Sequence, residues 1–268
     1  MNFNGLTTVN VELTSKCNKN CWMCGRRKTD KEYPEIALKY GFMDMDLVRK
    51  IAAQLPPGIV VQFHNNGEPL MYPQFGDAVR LFKDQIKCTD TNAKLIVEKA
   101  DEIIDNLDTL TISVFENDPE GDAQYELVKE FLDIKKDRKP NMIYRCLGNV
   151  DSERWEKLPG ILVTRILHHP LGSFKYSKKP TIPEIGICLD ALNHFVIDRF
   201  GKVSMCVRFD PKRIGVLGDA NTTPLTDIWN GSKREEWIRY HVEGQRDKIP
   251  LCSYCEFWGV PTGTSEKL

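Results

Sequence analysis

Residues 7–24 read TTVNVELTSKCNKNCWMC, a strand pattern that leads directly into a loop with three cysteines. Apolar and polar residues alternate from Thr7 to Thr14, which is the period of a β-strand. Three thiolates are too few for a closed structural zinc site, which takes four ligands. They suffice for three irons of a four-iron cluster, whose fourth iron then stays open to another ligand. The stretch therefore predicts a strand followed by a loop that binds an iron–sulfur cluster.

The composition of the 268 residues argues against several classes of protein. The net charge is −1, from 37 basic and 38 acidic residues, whereas a nucleic-acid surface carries a basic excess. No apolar run is long enough to span a membrane, and the N-terminus does not have the pattern of a signal peptide. We therefore expect a cytoplasmic protein with neither a nucleic-acid nor a membrane partner. In that compartment clustered cysteines indicate metal binding or catalysis rather than disulfides.

Strand and helix patterns alternate from residue 7 to about residue 168. The predicted strands cover residues 7–14, 59–64, 86–89, 109–115, 142–147 and 161–167, and the predicted helices cover residues 44–55, 74–85, 93–107, 124–136 and 152–158. Such alternation predicts an α/β fold of parallel βα units with right-handed crossovers. Six units suit a partial (β/α)6 barrel better than a closed eightfold one. Functional groups should lie in the loops after the strands.

The last third of the chain has a different character. Residues 171–187 carry prolines, glycines and lysines without a period, so we expect a linker between a core of residues 1–170 and a small C-terminal domain of residues 188–268. A hairpin turning at 199–201 is predicted within that domain. The domain contains four cysteines, which are Cys188, Cys206, Cys252 and Cys255. By themselves these two pairs fit a zinc ribbon and an all-cysteine iron–sulfur cluster equally well.

The C-x3-C-x2-C spacing of Cys17, Cys21 and Cys24, placed after the first strand, resembles the signature of the radical S-adenosylmethionine (radical SAM) superfamily. The sequence NGEP at residues 66–69 resembles that family's Gly-Glu-Pro loop after the second strand. The resemblance implies a [4Fe–4S] cluster whose open iron is ligated by the amino and carboxylate groups of S-adenosylmethionine. Reductive cleavage of this cosubstrate then gives a deoxyadenosyl radical, which abstracts a substrate hydrogen.

The same resemblance implies further contacts with the cosubstrate. Gly67, Glu68 and Pro69 would form the loop that receives the methionyl amino group. Four other residues are candidates: Met23 at the position that usually carries an adenine-seating aromatic residue, Asn92 after the third strand, Ser113 for the ribose or carboxylate, and Arg145 for the methionyl carboxylate. The structural alternatives are an edge hydroxyl for Ser113 and an interstrand salt bridge for Arg145.

The C-terminal cysteines resemble those of the twitch domain, a shortened form of the SPASM domain. A full SPASM domain holds two clusters, so four cysteines imply one auxiliary cluster that is fully ligated by protein. The chain would therefore hold two [4Fe–4S] clusters. The auxiliary cluster suits electron transfer better than direct substrate binding.

Three residues are candidates for catalysis. His168 and His169 end the sixth strand at the expected barrel mouth, where they could contact substrate or act as a base; the alternative is two solvated side chains. Cys146 could donate a hydrogen atom to a substrate radical, as a cysteine does in some relatives. The alternative for Cys146, as for Cys88, is a buried small hydrophobic residue.

The layout is similar to that of aminocyclitol dehydrogenases in this family. It implies oxidation of a small polyhydroxylated or amino-sugar-like substrate, with an electron passed to the auxiliary cluster. One alternative is modification of a peptide or protein by crosslinking, epimerisation or residue oxidation, and another is a non-catalytic zinc-binding protein. A flavodoxin or ferredoxin is the expected type of external one-electron reductant.

Overall fold

The computed structural model describes residues 2–37, 39–165, 167, 187–207, 210, 212–253 and 255. Its strands are β1 (Thr8–Val11), β2 (Val60–Gln62), β3 (Ile86–Thr91), β4 (Thr109–Phe115), β5 (Asn141–Leu147), β6 (Ile161–Arg165), β7 (His194–Ile197), β8 (Lys202–Ser204) and β9 (Val216–Asp219). The helices are α1 (Arg26–Glu32), α2 (Pro34–Ala37), α3 (Met45–Ala52), α4 (Phe75–Arg80), α5 (Ala100–Ile103), α6 (Gly121–Lys135), α7 (Glu153–Glu156), α8 (Leu189–Asn193), α9 (Leu225–Trp229), α10 (Ser232–Val242) and α11 (Pro250–Ser253). Short 3-10 helices cover Pro69–Met71 and Arg246–Lys248.

The strands form one open sheet in the order β6-β5-β4-β3-β2-β1-β7-β8-β9. β1 to β6 pair in parallel, as the alternating pattern predicted. β7 lies parallel on the other side of β1, with Val9 opposite Phe195, and β8 and β9 continue the sheet antiparallel. Over the described residues the sheet does not close. The α/β class and the partial barrel are thus confirmed, and the sheet continues unbroken into the C-terminal region.

The parallel pairing places the carboxyl ends of β1 to β7 at one edge of the sheet. The cysteine loop follows β1, the Gly-Glu-Pro loop follows β2, and Asn92 follows β3 directly. The turn between β7 and β8 lies at the same edge because β7 is parallel to β1. The predicted site and the C-terminal hairpin therefore meet beside β1.

Both faces of β1 and its continuation are buried, although the sequence alternates apolar and polar residues there. Val9 and Val11 are fully buried on one face, and Asn10 and Glu12 are each 4% exposed on the other. The Asn10 Nδ2 donates to the carbonyl oxygen of His64 at 2.8 Å. Buried polar groups persist when hydrogen-bonded, so these side chains hold β1 to the segments around it.

The helical layer packs on the apolar face through aromatic side chains. Phe63 lies edge-on to Phe75 and Phe82, with ring centroids 6.4 and 5.1 Å away. All three rings are fully buried. Burial of such a ring contributes about 1.5–3 kcal/mol, so this cluster secures α4 against the sheet.

One predicted helix is much shorter than its sequence pattern. Residues 94–99 form turns, and only Ala100–Ile103 is α-helical. Ala93 has a positive φ of 64°, and the following amides mix three- and four-residue hydrogen bonds, such as Ile96 to Ala93 and Lys99 to Leu95. The apolar spacing still buries Ile96 and Ile103. The predicted hairpin is present as β7 and β8. Among the described residues no helix has the length and apolarity to cross a membrane.

Candidate active site

The three cysteines of the first loop share one cavity, called here the cysteine cavity. Its volume is about 310 Å³, and its wall includes Cys17, Cys21, Cys24, Glu68, Asn92 and Ser113. Burial raises the pKa of the Cys21 thiol to about 12, the Lys19 ammonium opposes that rise, and Cys24 and Cys17 add to it. The three thiols are therefore close enough to interact electrostatically. A metal would have to displace the protons that burial favours.

A buried ion pair anchors the cysteine loop to the loop after β4. The Lys19 Nζ lies 2.5 Å from the Asp118 Oδ2, and both side chains are only 5% exposed. The Trp22 Nε1 donates to the carbonyl oxygen of Glu116 at 3.3 Å. Removing one partner of a buried pair leaves an uncompensated charge, so this contact holds the loop firmly.

The Gly-Glu-Pro loop lies against the cysteine loop, and only glycine fits at its closest approach. A Cβ on Gly67 would lie 2.2 Å from the carbonyl oxygen of Thr14 and 2.7 Å from that of Lys16. The next amide, of Glu68, donates to the Lys16 carbonyl at 2.8 Å. Gly67 is thus required by space, because two backbones pass within hydrogen-bonding distance.

Glu68 points into the protein and joins the Gly-Glu-Pro loop to the end of β3. Its Oε1 accepts from the Leu70 amide at 3.1 Å and from the Thr91 hydroxyl at 2.7 Å, and its Oε2 accepts from the Asn92 amide at 2.8 Å. Burial raises the pKa of Glu68 to about 7 despite these donors. Its side chain still borders the cysteine cavity, where a hydrogen-bond donor such as an amino group would favour the carboxylate.

The other predicted cosubstrate contacts surround the same space. Met23, 7% exposed, and Ser113 both border the cysteine cavity. The Asn92 Nδ2 lies 3.8 Å from the Cys17 Sγ and donates to the Asn18 Oδ1 at 2.9 Å. Pro69 is buried at the start of a 3-10 helix. An amide aimed at a thiol sulfur suits a cluster ligand, because hydrogen bonds to sulfur tune such clusters.

Arg145 pairs with a carboxylate of the protein. The Arg145 Nη1 contacts the Asp90 Oδ2, across β4, and the Asp90 amide donates to the His64 Nδ1 at 3.1 Å. Burial opposes ionisation of Asp90, but His64 and Arg145 together hold its pKa below the usual range. Asp90 and His64 border the cysteine cavity. The pair corresponds to the salt-bridge alternative for Arg145, although Asp90 lies two strands away; the cosubstrate role stays a prediction.

Of the three catalytic candidates only Cys146 is among the described residues. His168 and His169 are outside the described residues. Cys146 is 1% exposed, and burial raises the pKa of its thiol to about 11. It lies on the face of β5 opposite Arg145 and is not part of the cysteine cavity wall. The hydrogen-donor role of Cys146 remains a prediction, and the Cys146 side chain does not line the cysteine cavity.

The four C-terminal cysteines are brought together by α8, β8 and α11. Burial, followed by the charges of Cys206 and Cys188, raises the pKa of the Cys252 thiol. Three of them pack on a small core of Ala191, Met205, Trp237, Ile249 and Leu251. The Arg246 Nη1 donates to the carbonyl oxygens of Cys252 and Cys255 and shapes the last turn around these ligands.

A second cavity, called here the hairpin cavity, lies between the cysteine loop and the C-terminal hairpin. It measures about 100 Å³ and is bordered by Glu12, Asp198, Arg199, Cys206, Asp210 and Arg213, among others. Arg26, Asn65 and Asn66 belong to its wall and to that of the cysteine cavity. The two cavities are therefore neighbours, and one of the C-terminal cysteines borders the second.

These residues fit iron–sulfur clusters better than single ions. Within the described parts of the chain, no three His, Cys, Asp or Glu side chains converge on a position for one metal ion. A single zinc ion needs its thiolates about 2.3 Å from one centre, whereas cluster thiolates bind separate irons. The profile of the Radical SAM superfamily matches residues 11–160, more than half of the chain.

The chain belongs to the radical SAM superfamily. This membership makes it an enzyme that uses S-adenosylmethionine and a [4Fe–4S] cluster, as the sequence predicted, and it excludes the non-catalytic zinc protein. The profile of SPASM, an iron-sulfur cluster-binding domain, matches residues 188–256, which contain the second cysteine group.

Proteins similar to this radical SAM enzyme include a dehydrogenase and a protein whose structure was solved with a bound precursor peptide. This enzyme is 26% identical over 263 residues to the S-adenosyl-L-methionine-dependent 2-deoxy-scyllo-inosamine dehydrogenase of Niallia circulans, covering 95% of this chain and 94% of that protein. The structure of BtrN in complex with AdoMet and 2-DOIA is similar over 93% of this chain and 92% of that one, with a TM-score of 0.57 at 18% identity. Streptococcus suis SuiB bound to the precursor peptide SuiA has a TM-score of 0.61 at 14% identity, over 88% of this chain and 67% of SuiB. At these identities both structures show the shared fold alone.

Two features of the site were not predicted from the sequence. The sequence pattern indicates only a polar strand position for Glu12, yet its side chain is buried between two loops. The pairing of Lys19 with Asp118 joins residues 99 positions apart, which no local pattern indicates. The sequence offers one indication for Glu12: a carboxylate within a strand that is buried must find hydrogen-bond donors in neighbouring segments.

Proposed function

We propose that this radical SAM enzyme oxidises a secondary alcohol of a small polyhydroxylated, amino-sugar-like substrate to a ketone. The observation that carries the proposal is the hairpin cavity, which shares Arg26, Asn65 and Asn66 with the cysteine cavity and is bordered by Cys206. A substrate there would lie between the two cysteine groups. The similarity to the dehydrogenase of Niallia circulans, over nearly the full length of both chains, supports the same reaction class.

The chemistry assigns separate tasks to the two cysteine groups. When bound and reduced, the first cluster and S-adenosylmethionine supply a carbon radical that removes one hydrogen atom from the substrate. Completing the ketone then requires loss of one electron and of the hydroxyl proton, which would pass to a carboxylate of the cavity wall, Asp198 or Asp210. An oxidised auxiliary [4Fe–4S] cluster on Cys188, Cys206, Cys252 and Cys255 would accept the electron.

The walls of the hairpin cavity suit a polar, compact substrate. Asp198 and Asp210 offer carboxylate oxygens, and Arg199 and Arg213 offer guanidinium groups. Within the described part of the chain the Asn65 side chain makes no hydrogen bond, so its amide can bind a substrate hydroxyl. Alternating donors and acceptors recognise a ring of hydroxyl and amino groups better than an apolar surface does.

An external reductant of the flavodoxin or ferredoxin type would deliver the initial electron. An opening beside the cysteine loop is lined by the three cysteines and by Arg26, Arg27 and Asp30, among others. Its two guanidinium groups outnumber its carboxylate, which suits an acidic electron carrier. No disulfide joins the nine cysteines, all of which lie in the described part of the chain, and this suits a cytoplasmic location.

Anaerobic reconstitution followed by assay with aminocyclitols tests the proposal. We expect one 5′-deoxyadenosine per ketone, with deuterium transferred from the carbinol carbon of a labelled substrate such as 2-deoxy-scyllo-inosamine. Iron content should be about eight per chain and fall to about four in Cys206→Ala/Cys252→Ala, which should keep cosubstrate cleavage but form little ketone. No label transfer from any aminocyclitol, together with a mass change in an added peptide, would favour peptide modification instead.

A further inference from the structure

Glu12 connects the loops that follow the two neighbours of β1. On one side its Oε1 accepts from the backbone amide of Asn66 at 3.2 Å and from the Asn66 Nδ2 at 3.1 Å. On the other side its Oε2 accepts from the backbone amide of Arg199 at 3.2 Å. Asn66 begins the Gly-Glu-Pro segment, and Arg199 lies in the turn between β7 and β8. The Glu12 carboxylate therefore links two loops that lie far apart in the sequence.

The surroundings of Glu12 make these bonds hard to replace. The side chain is 4% exposed, so water cannot substitute for a lost donor. Burial and the nearby Asp198 carboxylate raise the pKa of Glu12 to about 7, while the amides of Arg199 and Asn66 oppose the rise. A carboxylate held in such a place without its donors would be strongly destabilised.

We propose that Glu12 is a positioning residue that fixes the Gly-Glu-Pro loop to the β7–β8 turn and thereby sets the cosubstrate and substrate cavities in one arrangement. The coupling of the loops rests on the hydrogen bonds alone. The consequence for the substrate also rests on the proposed function, because it takes the hairpin cavity as the substrate site.

The loops that Glu12 joins contribute to both cavities. Asn66 precedes Gly67 and Glu68, which lie against the cysteine loop, and Arg199 borders the hairpin cavity. Releasing both loops would weaken cosubstrate binding and let the substrate move relative to the cosubstrate. Small displacements of this kind reduce productive reaction strongly, so cosubstrate cleavage without product should increase.

The test compares Glu12→Gln with Glu102→Gln in the reconstituted holoenzyme. Glu102 is the control, because its Oε2 also accepts a backbone amide, that of Gly76 at 2.8 Å, outside both loops. In Glu12→Gln we expect hydrogen exchange to become about tenfold faster in peptides covering residues 64–68 and in those covering 198–201. We also expect the Kd for S-adenosylmethionine to rise about tenfold and the ratio of 5′-deoxyadenosine to ketone to increase. Glu102→Gln should leave exchange in both segments as in the wild type.

The proposal would be overturned if hydrogen exchange in both segments of Glu12→Gln were as slow as in the wild type and the Kd for S-adenosylmethionine changed less than twofold. A uniform rise in exchange across the chain would also overturn it, because that result indicates a general support of the fold. If Glu12→Gln does not fold, Asn66→Ala is the second variant, since it removes only the hydrogen bond from the Asn66 side chain to Glu12. Asn66→Ala should accelerate hydrogen exchange in the same two segments by a smaller factor. Unchanged exchange in both segments would refute the coupling. Absence of ketone from the wild type would contradict the proposed function and leave the exchange result to decide this proposal.

Discussion

The close contact at Gly67 gives a sharp test of how the site is assembled. In Gly67→Ala the added methyl group would lie 2.2 Å from the Thr14 carbonyl oxygen, whereas ordinary contacts begin at 3.4 Å. The neighbouring atoms are backbone, so no side chain can rotate away. The Gly-Glu-Pro loop must therefore move by about 1 Å from the cysteine loop.

A displacement of that size breaks the hydrogen bond between the two loops. The Glu68 amide now lies 2.8 Å from the Lys16 carbonyl, and about 1 Å more exceeds the range of a hydrogen bond. Loss of the bond costs about 0.5–1.5 kcal/mol and overpacking about 1–3 kcal/mol. We therefore expect the free energy of unfolding to fall by about 2–4 kcal/mol. A shifted Glu68 should weaken cosubstrate binding about ten- to a hundredfold, the loss of one charge-assisted hydrogen bond.

Isothermal titration of reconstituted protein with S-adenosylmethionine measures the affinity, and urea unfolding of the same preparation measures stability. Gly121→Ala is the matched control, because its added Cβ would meet the nearest atom, of Arg154, at 3.5 Å. That variant should bind and unfold like the wild type or be slightly more stable, since alanine favours a helix start over glycine. Unchanged cosubstrate affinity in Gly67→Ala would refute the idea that this contact sets the position of Glu68.

Three further predictions concern charge. Because burial raises the pKa of Glu68 to about 7, cosubstrate affinity should rise more steeply with pH below about 7 in the wild type than in Glu68→Gln, as the carboxylate that accepts from the amino group forms. Titration in buffers of different ionisation enthalpy should show more proton release at pH 6 from the wild type than from Glu68→Gln. In the apoprotein the folded pKa values of Glu12 and Glu68 are both raised from 4.5 to about 7, so their stabilising contribution is complete below about pH 4.5 and is lost as the pH rises through 7. The free energy of unfolding in urea should therefore be larger at pH 5 than at pH 8, by up to about 3 kcal/mol for each group. A higher stability at pH 8 would contradict the assignment. Lys19→Met should lower the free energy of unfolding by about 3–5 kcal/mol, because it leaves Asp118 buried without its lysine partner. Lys157→Met, which removes an exposed ion pair, should change the free energy of unfolding by less than about 1 kcal/mol. Equal changes in the melting temperatures of the two variants would refute the distinction.

The parallel barrel could be predicted because its information is local. Each strand carries its own apolar run or alternation, and parallel pairing follows from the helices between strands. The strands β4 and β5 match their predicted ranges to within one residue. The helix prediction for 93–107 was wrong over most of its length: the apolar spacing is that of a helix, but residues 94–99 form turns and only Ala100–Ile103 is helical.

The composition of the site could be predicted from motifs, but its connections could not. The spacing of the cysteines and the sequence NGEP indicated which loops carry chemistry, and the structure gathers them around one cavity. The partners of Lys19 and Arg145 depend on strands distant in sequence, so they required the structure. The position of β7 beside β1 is of the same kind, because the hairpin pattern predicts its own pairing and no neighbour.

The pairing of β7 with β1 has a consequence for electron transfer. β1 leads into the cysteine loop, and Cys206 follows β8, which pairs antiparallel with β7, so Cys206 is connected to the cysteine loop through three neighbouring strands of one sheet. Four consecutive residue pairs fix that register, and Glu12 adds a link beyond the end of the strands. A sheet in close register resists sliding, because a shift by one residue would move buried side chains to the opposite face. The pairing of β1, β7 and β8 therefore sets the distance between the cysteine loop and Cys206 that an electron would cross in the proposed reaction.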